Sequence, residues 1–210
     1  LGYTSFIFDN DGVLVDTTEL QVKATLAAID EVLNLKLTTQ EDISVLKSTI
    51  TTRDKLIKLC QKGYFTLNKV DAVYERKKII TNKMMSMLDS EDYQDKIEMF
   101  EFLRRENKNI AVVTNANRAS TVTLLNNLGF MKYLDVLITN NDVKNTKPHA
   151  EPYVRAMLQL GGSIEDFIIF EDSVTGLASA RGSGATVYEI SNFRDVNTQL
   201  MEEIIAGNYK

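Results

Sequence analysis

Five short apolar runs, spaced by longer stretches of helical pattern, constrain this chain more than any other feature. They are Ser5-Phe6-Ile7-Phe8, Ile110-Ala111-Val112-Val113, Val136-Leu137-Ile138, Phe167-Ile168-Ile169-Phe170 and Thr186-Val187-Tyr188. Unbroken apolar runs of this length read as strands buried on both faces, the condition of a parallel sheet covered by helices. Helical segments are expected near 96–106, 118–128, 150–160, 174–183 and 196–206. Gly129, Gly161 and Gly184 follow three of them, where a C-terminal glycine cap belongs. The alternation predicts an α/β fold with an open parallel sheet.

The first two runs are about a hundred residues apart, far more than one crossover helix needs. Residues 17–93 read as helical almost throughout. From Leu67 the positions Val70, Val73, Tyr74, Ile80, Met84, Met87 and Leu88 recur at intervals of three and four, and Leu20, Ala24, Ala27, Val32 and Leu33 mark another helix. The expected organisation is a core of residues 1–16 and 94–210 interrupted by a helical insert, 17–93. An insert after the first strand of an open sheet leaves from the side where ligands bind, so it is expected to cap a site. Its methionines read as core filling. Cys60, the single cysteine, reads as a small buried hydrophobe and excludes an internal disulfide.

Charge removes several classes of partner. The net charge is −5 with a pI near 5.1, whereas a nucleic-acid backbone calls for a basic face. Charges interrupt every apolar run well before the ~18 residues of a membrane span. The first residues carry no positive segment, and their apolar run meets Asp9 at once, which is a strand rather than a signal peptide. A cytoplasmic location is the expectation.

The candidate chemistry lies just past the strands. The first is followed by Asp9-Asn10-Asp11-Gly12. A carboxylate at the end of an apolar strand is costly unless it is used or paired. In extended chain, acids at i and i+2 project to one side. One could attack phosphorus while its neighbour handles the proton of the leaving group and the water. Asp residues also cap helices and fill turns, so the pair alone does not decide. Thr114-Asn115 follows the second strand and offers a hydroxyl and backbone N–H groups at a helix entry. Lys147-Pro148 sits on a loop, because proline biases the residue before it away from helix. Its ammonium can neutralise phosphate oxygens. Glu171-Asp172-Ser173 ends the fourth strand, and hard oxygen ligands of this kind suit Mg²⁺.

Taken in order, Asp9-x-Asp11-Gly12, Thr114-Asn115, Lys147-Pro148 and Glu171-Asp172-Ser173 resemble the four motifs of the haloacid dehalogenase superfamily. The resemblance spans about Phe6 to Tyr188. It implies a Rossmann-like core with an inserted helical cap, Asp9 as nucleophile, and Asp11 as general acid and base. It also implies that Thr114 and Lys147 hold the phosphoryl group, with Asn115 among the substrate-binding residues. Mg²⁺ would be bound by Asp9, the Asp11 carbonyl and Asp172, with Glu171 assisting. The implied activity is a Mg²⁺-dependent phosphatase that hydrolyses a small phosphate ester through an aspartyl phosphate.

The dehalogenases themselves generally lack the second motif acid, and Asp11 is present. The segments 9–16, 147–153 and 171–176 are similar to the branch holding β-phosphoglucomutase and sugar phosphatases. Residues 47–54 loosely resemble that branch's substrate loop, which makes Arg53 a candidate for a distal anionic group. Where the mutase typically has a histidine early in the first cap helix, this chain has Gln21, which cannot shuttle a proton. A mutase is therefore the alternative to a phosphatase. A catalytically idle binding protein is a third reading, against which all motif acids are intact. His149, the only histidine, reads as a loop residue without a catalytic role.

Overall fold

A computed structural model describes residues 2–48 and 50–208. Five strands form one sheet: β1 (Ser5–Phe8), β2 (Asn109–Val113), β3 (Val136–Ile138), β4 (Phe167–Glu171) and β5 (Thr186–Glu189). Every pairing is parallel and the order is β3-β2-β1-β4-β5. The chain thus grows outward from β1 in one direction and then in the other, which leaves a crevice at the carboxyl ends of the strands beside β1. The five strands are those expected from the apolar runs, each within a residue at its ends.

The alternation of side chains along the strands splits the core in two. Phe6 and Phe8 of β1 stack on Phe170 of β4, and Phe8 meets Phe100 edge-on. Phe100 belongs to α5 (Gln94–Arg105). On the opposite face Ile7, Ala111, Val113 and Ile169 pack with Tyr153 and Ala156 of α7 (Glu151–Leu160). Helices α6 (Arg118–Asn127), α8 (Val174–Gly182) and α9 (Thr198–Ile205) complete the α/β pattern. Gly129, at φ 72°, follows α6 in the left-handed region; its N–H and that of Phe130 reach the last carbonyls of the helix.

The chain divides into two compact units, Leu1–Asp16 with Leu88–Lys210, and Thr17–Met87. Residues 88–93, grouped with the insert in the sequence, cluster with the first unit. The second unit is helical: α1 (Thr18–Leu33), α2 (Gln40–Lys47), α3 (Thr52–Gln61) and α4 (Val70–Met85). Val22, Ile29, Leu56, Leu59 and Val73 are among its buried core. Cys60 packs partly buried against that core, and burial pushes its thiol above the ordinary value. Met87 does not fill a core: α4 ends at Met85, and the Met87 side chain is 74% exposed. No helix among the described residues is long and apolar enough to cross a membrane.

Candidate active site

Strand register brings the first acids together. Ile7 and Ile169 face α7, and they are partners in the β1–β4 ladder. Two residues further on, Asp9 and Glu171 inherit that side. The ladder runs one step past β1, with the Asp9 N–H donating to the Phe170 carbonyl at 3.0 Å. Asp9 is 7% exposed and Glu171 is fully buried. Asp11 differs from Asp9. The backbone leaves extended geometry at Asn10, whose carbonyl accepts from both Leu14 and Val15, and the Asp11 residue is exposed.

Lys147 lies on the loop before α7, and its peptide bond to Pro148 is cis. The ammonium, 7% exposed by residue, donates to Asp9 Oδ1 at 2.6 Å, to the Val113 carbonyl at 3.0 Å, to Tyr153 Oη at 2.9 Å and to Glu171 Oε1. Glu171 is fixed from several sides. Oε1 also accepts from Tyr153 Oη at 2.7 Å, and Oε2 accepts from the backbone of Asp172 at 3.1 Å and of Ser173 at 3.3 Å. Those N–H groups open α8, where a helix start favours negative charge. Close approach depends on glycine twice. A Cβ on Gly176 would stand 2.0 Å from both Glu171 oxygens, and one on Gly12 would stand 2.1 Å from Asp172 Oδ2.

Thr114 is buried at the end of β2, where its Oγ1 accepts from the Ala116 N–H at 3.1 Å. Helix α6 starts later than the motif, at Arg118, with Asn117 as its cap. Asn115 grips Lys147 at two points. Its Nδ2 donates to the Lys147 carbonyl at 3.1 Å, and its Oδ1 accepts from the Lys147 N–H at 3.0 Å. Both ends of the amide that the sequence assigned to substrate are thus occupied by the motif lysine's own backbone. Glu151 ties down the same loop, accepting from the N–H groups of Lys144 and Asn145. His149 accepts from the Glu151 N–H through Nδ1, an ordinary role at a helix start. Tyr153 is the residue that sequence reasoning passed over, because at that spacing it reads as an apolar core position.

Ligand atoms of Asp9, Glu171 and Asp172 lie within 4.8 Å of one another. Burial, then Glu171 and Asp11, push Asp9 up to about 7 against the opposing pull of Lys147. Burial and the charge of Glu171 raise Asp172 to about 6. Burial works against the Lys147 ammonium, but Asp9 and Glu171 outweigh it and hold its pKa above the ordinary value. One ammonium therefore does not balance the acids around it. Clustered carboxylates at this spacing fit a hard divalent cation.

Arg53 lies in the helical unit, exposed, paired with Asp71 and placed 4.5 Å from the centre of the Tyr74 ring. The loop before it includes Thr49, which is outside the described residues. Gln21, also in that unit, accepts a hydrogen bond from Lys77.

The family model for haloacid dehalogenase-like hydrolases matches residues 6–190. A phosphorylated carbohydrates phosphatase of Thermotoga maritima is 26% identical over 188 residues, covering 85% of this chain and 80% of that protein. The pyrophosphatase PpaX of Halalkalibacterium halodurans is 24% identical over 180 residues, covering 85% and 79%. Among solved structures, a β-phosphoglucomutase from Clostridium difficile superposes with a TM-score of 0.73 at 19% identity over 98% of each chain, a likeness of fold.

Proposed function

This chain belongs to the haloacid dehalogenase-like hydrolases, and on that premise we propose that it is a Mg²⁺-dependent phosphatase of small phosphate esters. The observation that carries the reading is the buried Asp9–Lys147 pair at the carboxyl ends of the strands. A carboxylate kept from water and held 2.6 Å from an ammonium is positioned as a nucleophile for an anionic centre. Mg²⁺ would be held by Asp9, Asp172 and the Asp11 carbonyl, with Glu171 in the same acid cluster. When bound, it would supply the positive charge that four nearby acids and one lysine lack.

In the proposed reaction an Asp9 oxygen forms the bond to phosphorus as the ester oxygen departs. Asp11, exposed and close enough to raise Asp9, gives that oxygen its proton. Asp11 then takes a proton from the water that cleaves the aspartyl phosphate, which returns Asp9 and releases phosphate. Lys147 offsets charge on the equatorial oxygens, and Thr114 holds the group at the end of β2. Asn115 acts through Lys147, whose backbone it holds. The helical unit Thr17–Met87 begins six residues after Asp11, the connection that a cap requires. We assign it that role, with Arg53 as its candidate for a distal anionic group.

The relatives that are phosphatases of phosphorylated carbohydrates and of pyrophosphate support a small soluble substrate. Hydrolysis is favoured over a mutase by Gln21, whose amide holds Lys77 and has no titratable proton to shuttle. The test is phosphate release from a panel of small phosphate esters, with Mg²⁺ and with excess chelator. Mg²⁺-dependent release that Asp9→Asn abolishes is the expected result. More than about a tenth of wild-type rate left in Asp9→Asn, a loss of under 1.4 kcal/mol of transition-state stabilisation, would remove Asp9 as the nucleophile.

A further inference from the structure

Tyr153 is fully buried on α7, among Ile7, Val113, Ala156 and Ile169. A phenylalanine would satisfy that surrounding. The hydroxyl nevertheless stands between the two charged groups that organise the site, 2.9 Å from Lys147 Nζ and 2.7 Å from Glu171 Oε1. Its single proton has one destination. An ammonium only donates and a carboxylate only accepts, so Tyr153 donates to Glu171 and accepts from Lys147.

The ammonium has three N–H groups, yet four acceptors surround it: Asp9 Oδ1, the Val113 carbonyl, Tyr153 Oη and Glu171 Oε1. All four cannot be met with good geometry at once. Two of them, Asp9 and Glu171, are carboxylates pulling from different strands. A hydroxyl anchored on Glu171 takes one N–H and relays the attraction of that acid, so the ammonium is not drawn fully onto Glu171 and away from Asp9. The rigid ring fixes where the hydroxyl stands, because its helix is packed on the sheet.

We propose that Tyr153 is a positioning residue for phosphoryl transfer: its hydroxyl sets where the Lys147 ammonium stands relative to Asp9. It touches neither substrate nor metal and acts through Lys147. The inference rests on the phosphatase reading above.

The experiment uses the full chain with Mg²⁺ and the best ester of the panel, comparing Tyr153→Phe with Ala156→Gly. Ala156 is buried one turn along the same helix and belongs to no catalytic group, so it reports what loosening α7 does by itself. Tyr153→Phe removes both hydrogen bonds of the hydroxyl, each to a charged group, and is expected to lower kcat about tenfold or more. KM should stay within about twofold, and the ratio should be the same for every ester, because the common phosphoryl group is what Lys147 serves. Ala156→Gly should lower the melting temperature and leave kcat in place. A Tyr153→Phe kcat within twofold of wild type overturns the proposal, as does a fall no larger than that of Ala156→Gly at matched melting temperature. Wild-type chain that releases no phosphate from any ester sinks the phosphatase reading, and the Tyr153 assignment with it. Active wild type with an unaffected Tyr153→Phe sinks Tyr153 alone.

Discussion

Gly176→Ala tests whether the Glu171 carboxylate holds the site together. Inside a helix this substitution ordinarily stabilises by up to about 1 kcal/mol, since alanine is the better helix former. Gly176 lies in the first turn of α8, and a Cβ there would stand 2.0 Å from each Glu171 oxygen and 2.1 Å from its carboxyl carbon. Real Cβ contacts stay beyond 3.0 Å, so the carboxylate must retreat by roughly 1 Å. It has no free direction. Oε1 is held by Lys147 and Tyr153, and Oε2 by the N–H groups of Asp172 and Ser173. Weakening two bonds to a charged group, at about 1.5–3 kcal/mol each, outweighs the helix gain and leaves a net loss of about 2–5 kcal/mol. For a chain of this size that is a fall in melting temperature of about 5–15 °C. Lys147 would move with its partner, and a misplacement near 1 Å is worth about a hundredfold in rate. Thermal unfolding and phosphate release measure the two effects. Gly182→Ala in the same helix is the control, because its Cβ would approach Ala150 no closer than 3.3 Å. That contact asks Ala150 to give by only a few tenths of an ångström, so stability should change by less than about 1 kcal/mol and activity should be kept. A Gly176→Ala chain as stable and active as that control would refute the role given to Glu171.

Two other perturbations separate neighbouring claims. Asn115→Ala removes both bonds to the Lys147 backbone, and kcat should fall about tenfold by the same ratio for every ester; KM changes that differ from ester to ester would return Asn115 to the substrate. In the helical unit, Lys62, then Thr39 and Tyr64, hold the Asp42 carboxyl down at about 2. Its folded pKa is depressed, so its stabilisation is complete above the ordinary 3.8 and is lost as pH falls through about 2. Urea unfolding of Asp42→Asn should therefore show a deficit against wild type at pH 6 that shrinks toward pH 2, and a deficit independent of pH would discard the charge as its cause.

The sheet was legible because each strand carries its own signal. An unbroken run such as Phe167-Ile168-Ile169-Phe170 needs no partner to be read as buried on both faces. The acids were legible for a related reason, since a carboxylate placed where an apolar strand ends stands out against its neighbours. What the sequence conceals is which groups meet. Asp9 and Asp11 look equivalent at i and i+2, but the turn at Asn10 buries the first and exposes the second. Asn115 and Lys147 are thirty-two positions apart, and only the folded loop shows that the amide is spent on the lysine's backbone.

Tyr153 shows the limit most clearly. Its place among the apolar residues on the buried face of α7 makes its hydroxyl look incidental. A buried hydroxyl must find a partner, at a cost of about 1–3 kcal/mol if it does not. At a tyrosine on the core face of a helix, that requirement points to a polar group near the end of the sheet. Two lie there, one of each sign, at the carboxyl ends of the strands. The demand for a partner can thus be read from one residue, but its location is a property of the register between β1 and β4 and of the loop that carries Lys147.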